Sequence, residues 1–227
     1  MDTIEITSAV VDKVRLDFPT ERQIVALASA WDDDSNHQVS FLRSADFRAA
    51  GKLGEYASMI ASADLALPAS AMLLKYVTAK KSSCRRAFAV GERRREYLSN
   101  VEALEESTMP ITPYMPLKVL AFFLSALEQR RGSVFLVGGS LAILQKAELH
   151  IRSTFPELRV VGRARGDYRE SDETDIMKAL QKSTPDMIVV GSMVKDAELW
   201  IPRHMRYTKS GIFLYDGSIM EILAGKR

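Results

Sequence analysis

Four short segments in the second half of the chain combine glycine, serine and aspartate in ways that suit phosphate or proton chemistry. They are Gly138-Gly139-Ser140, Gly166-Asp167-Tyr168, Gly191-Ser192 and Asp216-Gly217-Ser218. Glycine just before a helix lets backbone N–H groups approach phosphate oxygens, and the helix dipole favours the anion. Glycines at such turns also serve simply as packing devices, and both readings stay open here. Three carboxylates of the same region, Asp216, Glu198 and Asp196, are the candidates for acid or base work, each weighed against an ordinary surface charge. The Gly-Gly-Ser turn is not the dinucleotide fingerprint GxGxxG, and no Walker lysine follows it. His37, His150 and His204 lie too far apart for metal-ligand spacing, and Cys84 is alone, so no metal, cofactor or internal disulfide is expected.

Each of the four segments must be held by the element that precedes it. Apolar runs predict strands at Ser133–Val137, Arg159–Val161, Met187–Val190 and Gly211–Tyr215. Between and around them, helical patterns run over Leu117–Arg130, from Ser140 to about Thr154, over Asp172–Lys182, through Trp200, and over Ile219–Leu223. Alternation of this kind predicts an α/β fold, a Rossmann-like parallel sheet flanked by helices on both faces. Ligands of such sheets bind beyond the carboxyl ends of the strands, where strand order reverses. All four segments would line that rim.

Upstream, a strand is expected over Lys13–Phe18. A helix follows, opened by Thr20 and Gln23 in capping-box spacing, with an apolar stripe of Ile24, Val25, Leu27, Ala28 and Trp31. Asp32, Asp33 and Asp34 end that helix, and Ser35 and Asn36 read as a solvated turn. A further helix over about Asp46–Ala61 leads to a strand, Asp64–Leu67, stopped by Pro68. Pro110, Pro113 and Pro116 mark a loop. The expected organisation is a smaller N-terminal α/β region, 1–116, packed against a Rossmann-like half, 117–227, as one compact unit.

Composition narrows the function. With 227 residues, 47% of them hydrophobic and 26% charged, the chain can build a full core and is not of the disordered class. A net charge of +2 argues against a nucleic-acid binder. The one strong asymmetry is basic: Lys75, Lys80, Lys81, Arg85, Arg86, Arg93, Arg94 and Arg95 against Glu92 alone. It reads either as a patch for membrane or other anions, or as a solvated helix face balanced by Glu102, Glu105 and Glu106, and the second is preferred. The N-terminus lacks the basic and apolar regions of a signal peptide, which points to the cytoplasm. The most apolar stretch, Leu117–Leu127, has about half the roughly 20 residues needed to span a bilayer.

Read together, VFLVGGS, FPELRVVGRARGDY, STPDMIVVGSMVKDAELWI and GIFLYDGSIMEILAGKR resemble the WecG/TagA/CpsF family of bacterial glycosyltransferases. Gly162 and Gly166 keep that family's V-G-x-x-x-G spacing, with Asp167-Tyr168 in place of Tyr-Phe. Pro185-Asp186, Glu198, Trp200-Ile201, Gly217 and Leu223-Ala224-Gly225 fall where the family would put them. The likeness covers 133–227 and extends more weakly into 12–70. It implies transfer of an N-acetyl amino sugar from a UDP donor to a polyprenyl-diphosphate-linked acceptor, in cell-envelope polysaccharide synthesis, at the cytoplasmic face of the inner membrane. It also implies self-association. The nucleotide-sugar site would be formed by Gly138, Gly139, Ser140, Gly166, Asp167, Tyr168, Gly191, Ser192 and Gly217.

The departures from the family pattern bear on activity. Ala69 and Ser70 replace the Asp-Gly that would supply the general base, and an alanine accepts no proton. The segment Ser40–Ser44 lacks the family's Asn, Ile111–Leu117 stands where an R-V-x-G-x-D motif belongs, and Ala197 takes the place of a glutamine. Where the chain stops, at Gly225-Lys226-Arg227, the resemblance leads one to expect a further arginine-containing segment. The expectation is therefore a divergent, catalytically impaired relative. The alternatives are a fully non-catalytic scaffold with a protein partner, or an active enzyme with relocated catalytic groups.

Overall fold

A computed structural model describes residues 4–12, 14–32, 34–46, 54–84 and 112–226. In chain order the elements are β1 (Ser8–Val11), β2 (Val14–Asp17), α1 (Glu21–Ala30), β3 (Asn36–Leu42), α2 (Glu55–Ser62), β4 (Leu65–Pro68), α3 (Ala71–Cys84) and α4 (Pro116–Gln129). There follow β5 (Ser133–Val137), α5 (Leu141–Thr154), β6 (Arg159–Ala164), α6 (Glu170–Ser183), β7 (Met187–Val190), α7 (Ala197–His204), β8 (Gly211–Tyr215) and α8 (Ile219–Leu223). A single 3-10 turn, Met205–Tyr207, extends α7.

Six strands form one parallel sheet in the order β4-β3-β8-β7-β5-β6, and β1 and β2 form a separate antiparallel hairpin. The α/β class with a small N-terminal addition is as expected. The period-2 geometry of strands sorts their apolar residues onto two faces. Val134, Leu136, Met187, Val189, Ile212 and Leu214 join a core under α1, α4, α5 and α8. Their neighbours Phe135, Val137, Ile188, Val190 and Phe213 pack under α6 and α7 on the other face. The hairpin, α2 and α3 cover Leu42 and Ala66 beside them.

Local signals set the helix starts. Thr20 Oγ1 accepts from Gln23 N at 3.2 Å and Gln23 Oε1 from Thr20 N at 2.7 Å, a complete capping box. Ile24, Leu27 and Ala28 of the predicted stripe are buried, whereas Val25 faces out. Pro116 opens α4, where its missing N–H costs nothing.

Two elements depart from expectation. The stretch read as a solvated turn runs directly into β3, an interior strand that links the N-terminal residues to β8 in register from Asn36↔Gly211 to Ser40↔Tyr215. Its buried Gln38 and Ser40 gave it the look of a polar segment; in the fold Gln38 Nε2 donates to Ser40 Oγ at 2.9 Å and lies 2.9 Å from Met59 Sδ. Likewise β1, not anticipated, pairs with β2 across a turn at Asp12. Of the helix expected over Asp46–Ala61, residues 54–61 are seen, mostly as α2, and 47–53 lie outside the described residues.

The hairpin shields the β4 edge of the sheet. Asp17 is buried and accepts from Ala66 N at 2.8 Å and from Ser8 Oγ at 2.7 Å, while Arg15 donates to the carbonyls of Ala63 and Asp64. Losing this carboxylate strands an edge-strand amide in an apolar setting. Asp17→Ala is expected to lower the unfolding free energy by about 2 kcal/mol in urea titrations, with Asp17→Asn costing less.

Candidate functional site

The chain crosses from β5 to β6 through α5 on one face, then returns past β5 to β7 through α6 on the other. Strand order therefore reverses between β5 and β7, which is where a doubly wound sheet holds its ligand. Gly138-Gly139 and Gly191-Ser192 meet there, with Gly166 beside them, so the fold does bring three of the four glycine segments together.

The amides of these glycines, however, are bonded to carbonyls of neighbouring turns and strand ends. Gly139 N donates to Ser192 O at 2.8 Å, Gly166 N to Gly139 O at 3.0 Å, Gly138 N to Ala164 O at 3.0 Å and Gly191 N to Val137 O at 2.8 Å. Gly138 has φ +125°, and a Cβ placed on it would stand 2.8 Å from the Gly191 backbone. A Cβ on Gly191 would fall 2.3 Å from Cγ of Met220, which is fully buried. Ser140 caps α5 through Ile143 N at 3.4 Å, and Ser192 Oγ donates to Glu221 at 2.5 Å. The glycines at this crossover allow turns to touch, and Met220 fills the space against them.

The fourth segment builds a different centre. Asp216, 1% exposed, follows β8 and accepts from Ser218 N at 2.9 Å and Ser218 Oγ at 2.6 Å through Oδ1. Its Oδ2 accepts from Arg43, which leaves the end of β3. Burial by itself lowers the Arg43 guanidinium, but the hydrogen bond and charge of Asp216, with Asp46 adding to them, outweigh it and hold Arg43 above its ordinary range. Gln38, Ser40, Asp46, Tyr56, Tyr215 and Gly217 join Arg43 around a cavity of about 100 Å³. Arg43 was not among the residues singled out from sequence. The signal that points to it is a basic residue at the carboxyl end of an interior strand, and the polar residues of β3 conceal that strand in the sequence.

Asp167 is exposed, whereas Tyr168 is half-buried against the core under α6 and α7. Arg165 clasps Asp167 with bonds of 2.8 and 2.6 Å, which holds that carboxyl below its usual range. Tyr168 OH accepts from Trp200 Nε1 at 2.8 Å and faces Glu173 at 3.3 Å; burial pushes its phenol up to about 12. His204 completes that cluster, with Nε2 2.9 Å from Glu173 and Nδ1 2.6 Å from Trp200 O. These groups line a cavity of about 420 Å³ that also takes in Asp196, bound to Arg203 at 3.1 Å. Glu198 stands in the first turn of α7, and its side chain lies outside the described residues.

Ala69 packs against the core at the end of β4, and Ser70 caps α3 by accepting from Leu73 N at 3.1 Å. Neither supplies a base. Lys75 is exposed on α3; Lys80 and Lys81 belong to the same helix, their side chains outside the described residues, and Arg85, Arg86, Arg93, Arg94 and Arg95 lie outside them altogether. Among the described residues no helix is long and apolar enough to cross a membrane, and no group of three or more His, Cys, Asp or Glu is placed to hold a metal ion.

Residues 113–227, which include Asp216, Trp200 and all four glycine segments, match the family model described as the Glycosyl transferase WecG/TagA/CpsF family. No curated protein matches the chain.

Proposed function

The chain belongs to the WecG/TagA/CpsF family of glycosyl transferases, and from that premise we propose a divergent member that keeps the fold but has lost most or all turnover. The ancestral reaction on this reading is transfer of an N-acetyl amino sugar from a UDP donor to a polyprenyl-diphosphate-linked acceptor at the cytoplasmic membrane face. The observation that carries the reading is the condition of the carboxylates. A general base needs an acceptor position open toward the hydroxyl it deprotonates. Asp216 has about four such positions; three are taken by Ser218 and Arg43, and the side chain is fully buried, so the fourth does not open to solvent. Asp196 is held by Arg203, and position 69 is alanine.

A wholly non-catalytic role in protein assembly is the second reading. It is supported by the close packing at the crossover, where Met220 lies against Gly191 and the amides of Gly139 and Gly166 are bonded to carbonyls of neighbouring turns. The same reading takes the basic stretch 75–95 as a solvated helix face, or alternatively a patch for membrane or other anions, and includes self-association and an N-terminal region, 1–116, packed against 117–227.

The test combines calorimetry with UDP and UDP-N-acetyl amino sugars and an assay of donor hydrolysis and transfer to a polyprenyl-diphosphate acceptor. The expected result is no transfer above the protein-free control. Transfer that is abolished in Asp216→Asn would overturn the impaired reading and assign the base to Asp216. Donor binding without transfer supports an impaired enzyme, and no binding at millimolar nucleotide supports the assembly role.

A further inference from the structure

The two edges of the sheet are treated differently. At the β4 edge the hairpin supplies Asp17 to Ala66 N and Arg15 to the carbonyls of Ala63 and Asp64. At the other edge, among the described residues, β6 pairs with β5 and with no other strand. There Arg152 reaches one carbonyl, that of Val160, at 3.3 Å, near the strand's start. An edge left open is a template for another strand.

The surroundings of that edge are basic with an apolar floor. Arg159, Arg163, Arg165 and Arg169 line the strand and its exit. Glu148 answers Arg163 and Asp167 answers Arg165, and Asp172 at the groove accepts from the backbone amide of Arg169, whereas the guanidinium groups of Arg159 and Arg169 make no ion pair among the described residues, which leaves the rim net basic. Beyond the carboxyl half of β6 a groove of about 650 Å³ opens between α5 and α6, with Leu141, Leu144 and Ile176 exposing or backing its apolar side. Both helices point their N-termini, the positive ends of their dipoles, toward it.

We propose that the β6 edge and this groove dock an extended, acidic polypeptide segment, which adds a strand beside β6 and sets alternate apolar side chains into the groove. Main-chain bonds to an edge strand supply affinity, and pockets for alternate side chains supply specificity. The charge selects an acidic partner. A second copy of this chain would bring its own arginines against these and be repelled. The inference does not depend on whether the chain turns over a sugar donor.

The experiment uses the full chain with two labelled peptides, one alternating glutamate and valine, the other alternating lysine and valine, read by fluorescence anisotropy. Amide hydrogen exchange over 159–164 is followed in parallel. The glutamate peptide is expected to bind, to lose affinity as salt is added, and to slow exchange in β6. Arg169→Glu, which breaks no ion pair among the described residues, should weaken binding severalfold, and the Arg163→Glu/Arg165→Glu/Arg169→Glu variant at least about tenfold. Circular dichroism checks that each variant is folded. Failure of the glutamate peptide to bind, equal binding of the lysine peptide, unchanged exchange in β6, or binding indifferent to Arg169→Glu would each overturn the proposal. Sedimentation showing a dimer that Arg169→Glu disperses would also overturn it, by assigning the edge to a second copy.

Discussion

Asp216→Ala is expected to destabilise the fold by about 3 kcal/mol, whatever it does to catalysis. The carboxylate is 1% exposed and ties the turn after β8 to the end of β3. Its loss leaves the Ser218 amide and hydroxyl without their acceptor and the Arg43 guanidinium without its hydrogen-bonded counter-charge, with only the weaker field of Asp46 to replace it. Breaking a fully buried pair costs about 3–5 kcal/mol. Arg43 is 45% exposed, so water recovers part of its share and places the value at the lower end of that range. Chemical denaturation checks the figure. Asp216→Asn should be milder, because its amide oxygen still accepts from Ser218, and Arg43→Ala milder again, because it leaves Asp216 bonded to Ser218. A variant series in that order identifies Asp216 as a structural tie; equal stability of Asp216→Ala and the parent would remove that role and return attention to Asp216 as a free acid or base.

Gly138→Ala is expected to cost about 2–4 kcal/mol. Two effects act at once. The backbone sits at φ +125°, outside the conformations that residues with a Cβ adopt freely, and strain of that kind costs about 1–3 kcal/mol. The new Cβ also falls 2.8–2.9 Å from three backbone atoms of Gly191, which cannot swing aside as a side chain would. Relief requires β5 and β7 to part at their carboxyl ends, disturbing the bonds of Gly139 to Ser192 and Gly166 to Gly139. The melting temperature and the urea midpoint should both fall. A neutral result would show that the strand ends are loosely packed and have room for a ligand. Comparison with Ser140→Ala separates packing from capping: that change removes only a 3.4 Å cap and should cost about 1 kcal/mol or less.

Much of the C-terminal half is legible along the chain. The strands Ser133–Val137, Met187–Val190 and Gly211–Tyr215 and the helix Ile219–Leu223 have the bounds expected of them. Each of the three strands is a short, mostly apolar run, because interior parallel strands are covered on both faces and need no polar alternation. Similarly, the α1 capping box is a local device, complete within four residues. β3 escaped because Gln38 and Ser40 satisfy each other inside the protein, a pairing invisible until the strand is placed. β6 was read three residues short, since Gly162, Arg163 and Ala164 carry little strand propensity and are held by pairing with Phe135, Leu136 and Val137.

What depends on neighbours along the chain is legible without the fold: most of the strands and helices of the C-terminal half, their parallel course, the glycine and aspartate at their ends, and the family these motifs spell. What those end residues face is set by contacts distant in sequence. Arg43 reaches Asp216 across 173 positions, and the amide of Gly139 finds its acceptor at Ser192 on another turn. A glycine that cradles phosphate and one that lets two turns touch are the same residue with the same neighbours in sequence. Whether its N–H is free depends on which strand end lies opposite, and that is set by sheet order and by the buried side chain of Met220.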